Sequence, residues 1–200
     1  MAAHTDSPCL KLKPVTASKK SGFLKLGVQT YGGGLWYTWF DRDLSVAGRV
    51  LIREADGTIT DRLVCVRRPI MRIPTLAIHL DRNVNTDGFK PNFETHLAPV
   101  LATQVKAAME QPTKQGKGKE GKEAKQAKEG KQAKEDIKEP HHALLLSVLA
   151  EELGCAVTAI VDFELNVCDT QPSTVAGAAS EFIFSGRLDN LAMSFCALKV

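Results

Sequence analysis

Ser185-Gly186-Arg187-Leu188-Asp189-Asn190 places one carboxylate at the mouth of an apolar segment, and it has a counterpart at the other end of the chain. That counterpart is His4-Thr5-Asp6-Ser7-Pro8, where a histidine and an acid two residues apart can serve as a metal ligand and the group that holds its ring. With both ends carrying metal chemistry, everything between them reads as an insertion.

Working outward, the intervening residues carry the signals of β structure. Gly22 to Thr30 alternates Phe23, Leu24, Leu26 and Val28 with polar positions. Val46, Val50 and Ile52 lead into Ala55-Asp56-Gly57-Thr58, and Ile59, Leu63, Val64 and Val66 follow, which predicts a β-hairpin. Arg68-Pro69 and Ile73-Pro74 punctuate the strands after it, since proline cannot donate to a ladder. Ile78-His79-Leu80 reads as an apolar strand holding one histidine. Ala159 to Cys168 is a further alternating strand, and Asp169-Thr170-Gln171-Pro172 turns out of it. Between the strands, Pro14 to Ser21 reads as a linker, Asp81 to His96 as polar and turn-rich, Pro99 to Met109 as a segment able to form a helix, and Ser173 to Ser180 as a small-residue loop. Leu144, Leu145, Leu146, Val148, Leu149 and Leu153 define an apolar helix that stops near Gly154, and Leu188 to Val200 predicts another.

Several motifs invite a sharper reading and lose it on inspection. Gly32-Gly33-Gly34 lacks the Lys-Ser/Thr and the following helix of a phosphate cradle, so it reads as a tight backbone passage. Trp36, Trp39 and Phe40 read as core or interface aromatics, because no basic face accompanies them. Glu94 and His96 share a strand face with nothing nearby to complete a metal site. Neighbouring His141 and His142 would point about 100° apart on a helix and so do not chelate together.

Composition bounds the rest. A 200-residue chain with 44% hydrophobic residues can build a core. No run of about 18 apolar residues and no basic-then-apolar leader occurs, so the expectation is a cytoplasmic protein with no membrane partner. The five cysteines (Cys9, Cys65, Cys155, Cys168, Cys196) form no Cys-x-x-Cys pair and read as buried thiols. The formal charge of +3 is contained in the Lys/Glu tract at 111-140, where nine lysines face six acids. The remainder is neutral, which makes a nucleic-acid partner an unfavoured expectation. That low-complexity tract reads as a solvated loop, since it offers almost nothing to bury.

Taken in order, these motifs identify a resemblance. The chain resembles the aspartyl aminopeptidase family of zinc metallopeptidases. The likeness runs through His4-Thr-Asp-Ser-Pro-Cys-Leu10, Val28-Gln-Thr-Tyr-Gly-Gly-Gly-Leu-Trp36 and Trp39-Phe-Asp-Arg-Asp-Leu44. It continues through Arg68-Pro-Ile-Met-Arg-Ile-Pro74, Ala77-Ile-His-Leu80, Asp169-Thr-Gln-Pro172, Glu181-Phe-Ile-Phe184 and Arg187-Leu-Asp-Asn190. The resemblance implies an α+β chain in which a β-rich, barrel-like dimerisation domain (13-174) interrupts a partial α/β zinc-peptidase domain (1-12 and 175-200).

It also implies roles. His4 would ligate zinc, Asp6 would orient His4, and Asp189 would bridge two divalent cations. His79 would contact substrate in the active site of a neighbouring subunit. The implied reaction is removal of N-terminal Asp or Glu from peptides by metal-activated water, within a homo-oligomer built from dimers. The family's Glu-Glu pair, further Asp and further His fall beyond the equivalent of Val200, and only three residues precede His4. The chain is therefore expected to be a fragment or a truncated relative, inactive or nearly so alone. A non-catalytic dimerisation module of the same descent is the alternative.

Overall fold

The computed structural model describes residues 3–105 and 139–199. The Lys/Glu tract lies almost wholly outside the described residues, as does the part of the expected Pro99 to Met109 helix beyond Val105.

Among the described residues eight strands form, β1 (Cys9–Lys20), β2 (Phe23–Tyr31), β3 (Leu44–Arg53), β4 (Ile59–Cys65), β5 (Val100–Thr103), β6 (Ile160–Asp169), β7 (Thr174–Ala176) and β8 (Phe182–Phe184). Helices are α1 (Val84–Asp87), α2 (Ala143–Leu153) and α3 (Leu188–Lys199). Six strands make one sheet in the order β4-β3-β6-β1-β2-β5, and β7 pairs with β8 alone. Every ladder among the described residues is antiparallel, so this is a sheet-rich α+β fold.

The expected β3–β4 hairpin forms where its turn residues dictate. Asp56 Oδ1 accepts from the Thr58 amide at 2.9 Å and from its hydroxyl at 2.7 Å, closing the turn. The predicted Ala159 to Cys168 strand is β6, paired with β3 from Leu44↔Asp169 to Ile52↔Ile160. Leu44, Val46, Val50 and Ile52 of β3 and Leu165 and Val167 of β6 are buried on the same side as Leu145 and Leu149 of α2. Gly154 stops α2 in the left-handed region (φ 62°), as its position in the sequence predicts.

Several expectations need correction. Pro14 to Ser21 is not a linker but lies largely within β1, which bulges between Leu12 and Ala17. The bulge lies over Gly27, where a Cβ would come within 3.2 Å of the Val15 carbonyl. Its freed amides are satisfied from far away, since Thr16 N and Ala17 N donate to the Pro140 carbonyl at 2.8 and 3.0 Å. Ile78-His79-Leu80 is a turn, with Ile78 and Leu80 exposed and Leu80 N donating to Ala77 O. The start of the expected Pro99 to Met109 helix is β5, which pairs with β2. The Ser173 to Ser180 loop contains β7.

Lastly, the sheet does not close into a barrel among the described residues. Only isolated bridges, Leu44 to Met71 and Arg72 to Val100, link β3 to β5 through the segment where Pro69 and Pro74 interrupt pairing. The cysteines also depart from expectation: all five are free thiols, but none is buried, with Cys9, Cys155 and Cys168 half-buried and Cys65 and Cys196 exposed. Trp36 is buried, as expected.

The stretch from β8 onward has another character. Phe182, Ile183, Phe184, Leu191, Phe195 and Leu198 are exposed, and α3 buries none of its residues. Among the described residues this is an apolar face without a cover.

Candidate metal centre

The segment before β1 runs beside the end of β2. The ladder sets Cys9 opposite Tyr31, and beyond it Gly32 and Gly34 pass so close to Pro8 that added Cβ atoms would lie 3.4 and 3.3 Å from its ring. Gly32 and Gly34 thus make the tight passage read from the sequence, while Gly33 has open space around it. Held there, the segment folds His4 back on its own backbone, with Nδ1 2.9 Å from the Asp6 carbonyl oxygen and 3.4 Å from Asp6 Oδ1. Tyr31 donates its hydroxyl proton to Asp6 Oδ2 at 2.6 Å.

Asp189 arrives from the other end of the chain. The β7–β8 hairpin leads into Ser185-Gly186-Arg187, the Ser185 hydroxyl lies 2.6 Å from that of Ser173, and Asp189 follows at the start of α3. Its Oδ1 lies 3.3 Å from His4 Nε2. The contact is braced by Ser194, whose Oγ lies 2.9 Å from the His4 carbonyl oxygen and 3.0 Å from that of Asn190. The structure therefore brings together His4, Asp6 and Asp189, three of the four residues singled out in the sequence. His79 stands apart, exposed on the turn after Ala77.

The electrostatics follow from these contacts. The hydrogen bond to the Asp6 carbonyl and the charges of Asp189 and Asp6 raise the His4 pKa above 6.5. Tyr31 and His4 lower that of Asp6, and Asp6 raises that of Tyr31. At neutral pH Tyr31 is therefore the donor and Asp6 the acceptor. The cluster is open to solvent, with the Asp189 side chain 93% exposed.

The donor set can be tested against zinc. With Nδ1–H donated to Asp6, Nε2 presents a lone pair to a carboxylate oxygen, an arrangement that asks for a cation between them or a proton on the ring. Imidazole nitrogen and carboxylate oxygen are both zinc donors, so the pair fits as part of a site. It supplies two of the roughly four donors zinc takes, and among the described residues no group of three or more His, Cys, Asp or Glu is arranged to hold a metal.

Sequence reasoning missed Tyr31 and Ser194. Tyr31 ends an alternating strand just before the glycines, but its reach to Asp6 depends on hairpin register. Ser194 lies one helical turn after Asn190, and no pattern marks it.

The other cavities are less suited to this chemistry. A groove of about 750 Å³ is lined by Tyr37, Arg42, Asp43, Arg72 and Asp169 among others, but its arginines are already paired, Arg42 with Asp169 and Arg72 with Asp43. Glu94 and His96 form a local cap, with the Asn92 amide donating to His96 Nδ1. His142 is buried, within 3.1 Å of Ser18 N and 3.0 Å of Lys25 O, a structural clamp.

A sequence profile described as aminopeptidase I zinc metalloprotease (M18) matches residues 1–200. The chain is 57% identical to a probable aspartyl aminopeptidase of Ricinus communis, covering 100% of this chain and 41% of that protein. It is 50% identical to an aspartyl aminopeptidase of Dictyostelium discoideum, covering 98% and 40%. Among solved structures, it superposes on a chain of the cryo-EM structure of an Ape4 and Nbr1 complex with a TM-score of 0.80 at 41% identity, covering 98% and 34%. It also superposes on a chain of the structure of an S. cerevisiae mApe1 dodecamer with a TM-score of 0.66 at 27% identity, covering 98% and 36%. The chain spans about two fifths of the length of these curated relatives.

Proposed function

The chain belongs to the aminopeptidase I zinc metalloprotease (M18) family, and from that premise we propose that it forms part of a cytoplasmic metallo-aminopeptidase that removes N-terminal Asp or Glu from peptides. The names of its relatives support the substrate class. The observation that carries the site is the approach of His4 Nε2 to Asp189 Oδ1 at 3.3 Å.

In this reading His4 and Asp189 would hold zinc, and Asp6 would keep the His4 ring oriented. Zinc supplies Lewis acidity toward the first peptide carbonyl and toward water. The chain's own part is to hold Nδ1–H on the Asp6 side, leave Nε2 free as a donor, and fix His4 against α3 through Ser194. Residues 1-12 and 175-200 belong to the catalytic domain, a division supported by the uncovered apolar face of β8 and α3, which is larger than isolated exposed residues would make. Residues 13-174 form the dimerisation domain of a homo-oligomer, supported by the dodecameric neighbour. His79, exposed on its turn, would be offered to a neighbouring subunit.

The test is a chimera in which this chain replaces the matching part of the Dictyostelium discoideum enzyme. We expect hydrolysis of an N-terminal Asp chromogenic substrate over its Ala analogue, lost in His4→Ala and Asp189→Asn. A folded, oligomeric chimera that retains hydrolysis in both variants would refute the assignment.

A further inference from the structure

We infer that Tyr31 is a positioning residue for this metal centre: its hydroxyl fixes the Asp6 carboxylate, and through Asp6 the ring of His4. The inference rests on the proposed reading of His4 and Asp189 as metal ligands.

The backbone sets the geometry before any side chain acts. Tyr31 is the last residue of β2 and lies opposite Cys9, three residues beyond Asp6. The close pass of Gly32 and Gly34 along Pro8 keeps the two segments side by side. From that position the phenol reaches Asp6 Oδ2 at 2.6 Å, and the other carboxylate oxygen is left 3.4 Å from His4 Nδ1. Each oxygen of Asp6 then faces a different group.

A carboxylate held by one partner alone can rotate about its Cα–Cβ and Cβ–Cγ bonds and exchange its oxygens. With Tyr31 on one oxygen that freedom is reduced. His4 Nδ1 is hydrogen-bonded to the Asp6 carbonyl oxygen at 2.9 Å, and the carboxylate oxygen held 3.4 Å away adds a second acceptor on that side, so Nε2 is left as the donor facing Asp189.

The phenol is in turn held from the sheet. Lys11 Nζ lies 5.4 Å from the Tyr31 ring centroid, and Lys11 pairs with Glu164 of β6. Tyr31 is 42% exposed, so its place is not explained by burial in the core. The series Glu164, Lys11, Tyr31, Asp6, His4 carries the rigidity of the sheet to a ligand on an open segment. The sheet is thereby more than a spacer between the two catalytic segments.

Tyr31→Phe in the full chain keeps the ring and removes only the hydroxyl. Zinc affinity, read by competition with a chromogenic chelator, should fall about 3- to 10-fold, at or below the lower end of the effect of losing a ligand's own hydrogen-bond partner. In the zinc-loaded protein the ¹⁵N shift of His4 Nδ1 should move as the carboxylate beside it loosens. Tyr37→Phe, at an exposed tyrosine outside the cluster, should change neither.

Unchanged affinity and ring shifts in Tyr31→Phe, with both changed in Asp6→Asn, would overturn the inference and leave the metal reading standing. Unchanged affinity in His4→Ala and Asp189→Asn would overturn the metal reading, and the inference with it.

Discussion

His4 Nε2 and Asp189 Oδ1 face each other at 3.3 Å although they come from opposite ends of the chain. No local propensity can make such a contact. It exists because the β1–β2 ladder seats the His4 segment and the Ser194 hydroxyl ties the His4 carbonyl to α3. If the two side chains serve one ion, their losses should not add. Zinc affinity of the His4→Ala, Asp189→Asn double variant, measured by chelator competition, is expected to be within about threefold of the worse single variant. Full additivity of the two losses would assign them to separate sites.

Helix α2 is the plug of the sheet. Leu145 and Leu149 are each 0% exposed, and they lie one helical turn apart on its buried face. Leu149→Ala should cost about 2–5 kcal/mol, the range for deleting a buried leucine and leaving a cavity. Leu146, on the same helix and only partly buried, should cost less when changed to Ala. Urea unfolding of both variants checks this, and equal losses would show that the helix does not pack through the Leu145–Leu149 face.

His141 gives stability a pH dependence. Burial, partly offset by the charge of Asp162, lowers its pKa below 6.5, while Nδ1 lies 3.0 Å from Thr16 Oγ1 and the ring lies against Phe163. The unfolded chain therefore takes up this proton at a higher pH than the folded one. Its contribution is intact above pH 6.5 and is lost as pH falls from 6.5 toward the folded pKa. His141→Gln should flatten the decline in the urea midpoint between about pH 7.5 and 5.5. An unchanged slope would assign the acid sensitivity to other groups.

How much of this was legible depends on where each determinant lies. The β3–β4 hairpin was readable because Asp56, Gly57 and Thr58 write their own turn, and α2 because its leucines and Gly154 are local signals. The His4 and Asp6 pair was readable for the same reason, two residues apart in one segment. β1 was not, since Lys13-Pro14-Val15-Thr16 becomes strand only when Pro140 supplies the carbonyl that its bulge lacks. Ile78-His79-Leu80 misled because three residues of strand composition say nothing about a pairing partner. Tyr31 stayed hidden because its target depends on register, and register is set by the whole hairpin.

Gly48 offers the strictest test of how β3 and β6 meet. It lies opposite Leu165, and a Cβ there would stand 2.1 Å from the Glu164 carbonyl oxygen, 3.0 Å from Leu165 Cα and 3.1 Å from the Glu164 carbonyl carbon. All three are backbone atoms of the neighbouring strand, so no side-chain rotation can relieve the clash. β3 is the strand that carries Leu44, Val46, Val50 and Ile52 into the core, and moving it disturbs each of them. Gly48→Ala is therefore expected to cost about 3 kcal/mol or more. Gly57 provides the comparison: it has nothing within 4 Å of the added Cβ but a φ of +86°. Gly57→Ala should cost only about 1 kcal/mol, from backbone conformation alone. Urea midpoints of the two variants measure the difference, and a Gly48→Ala protein as stable as Gly57→Ala would mean that β3 and β6 do not approach as closely as this register requires.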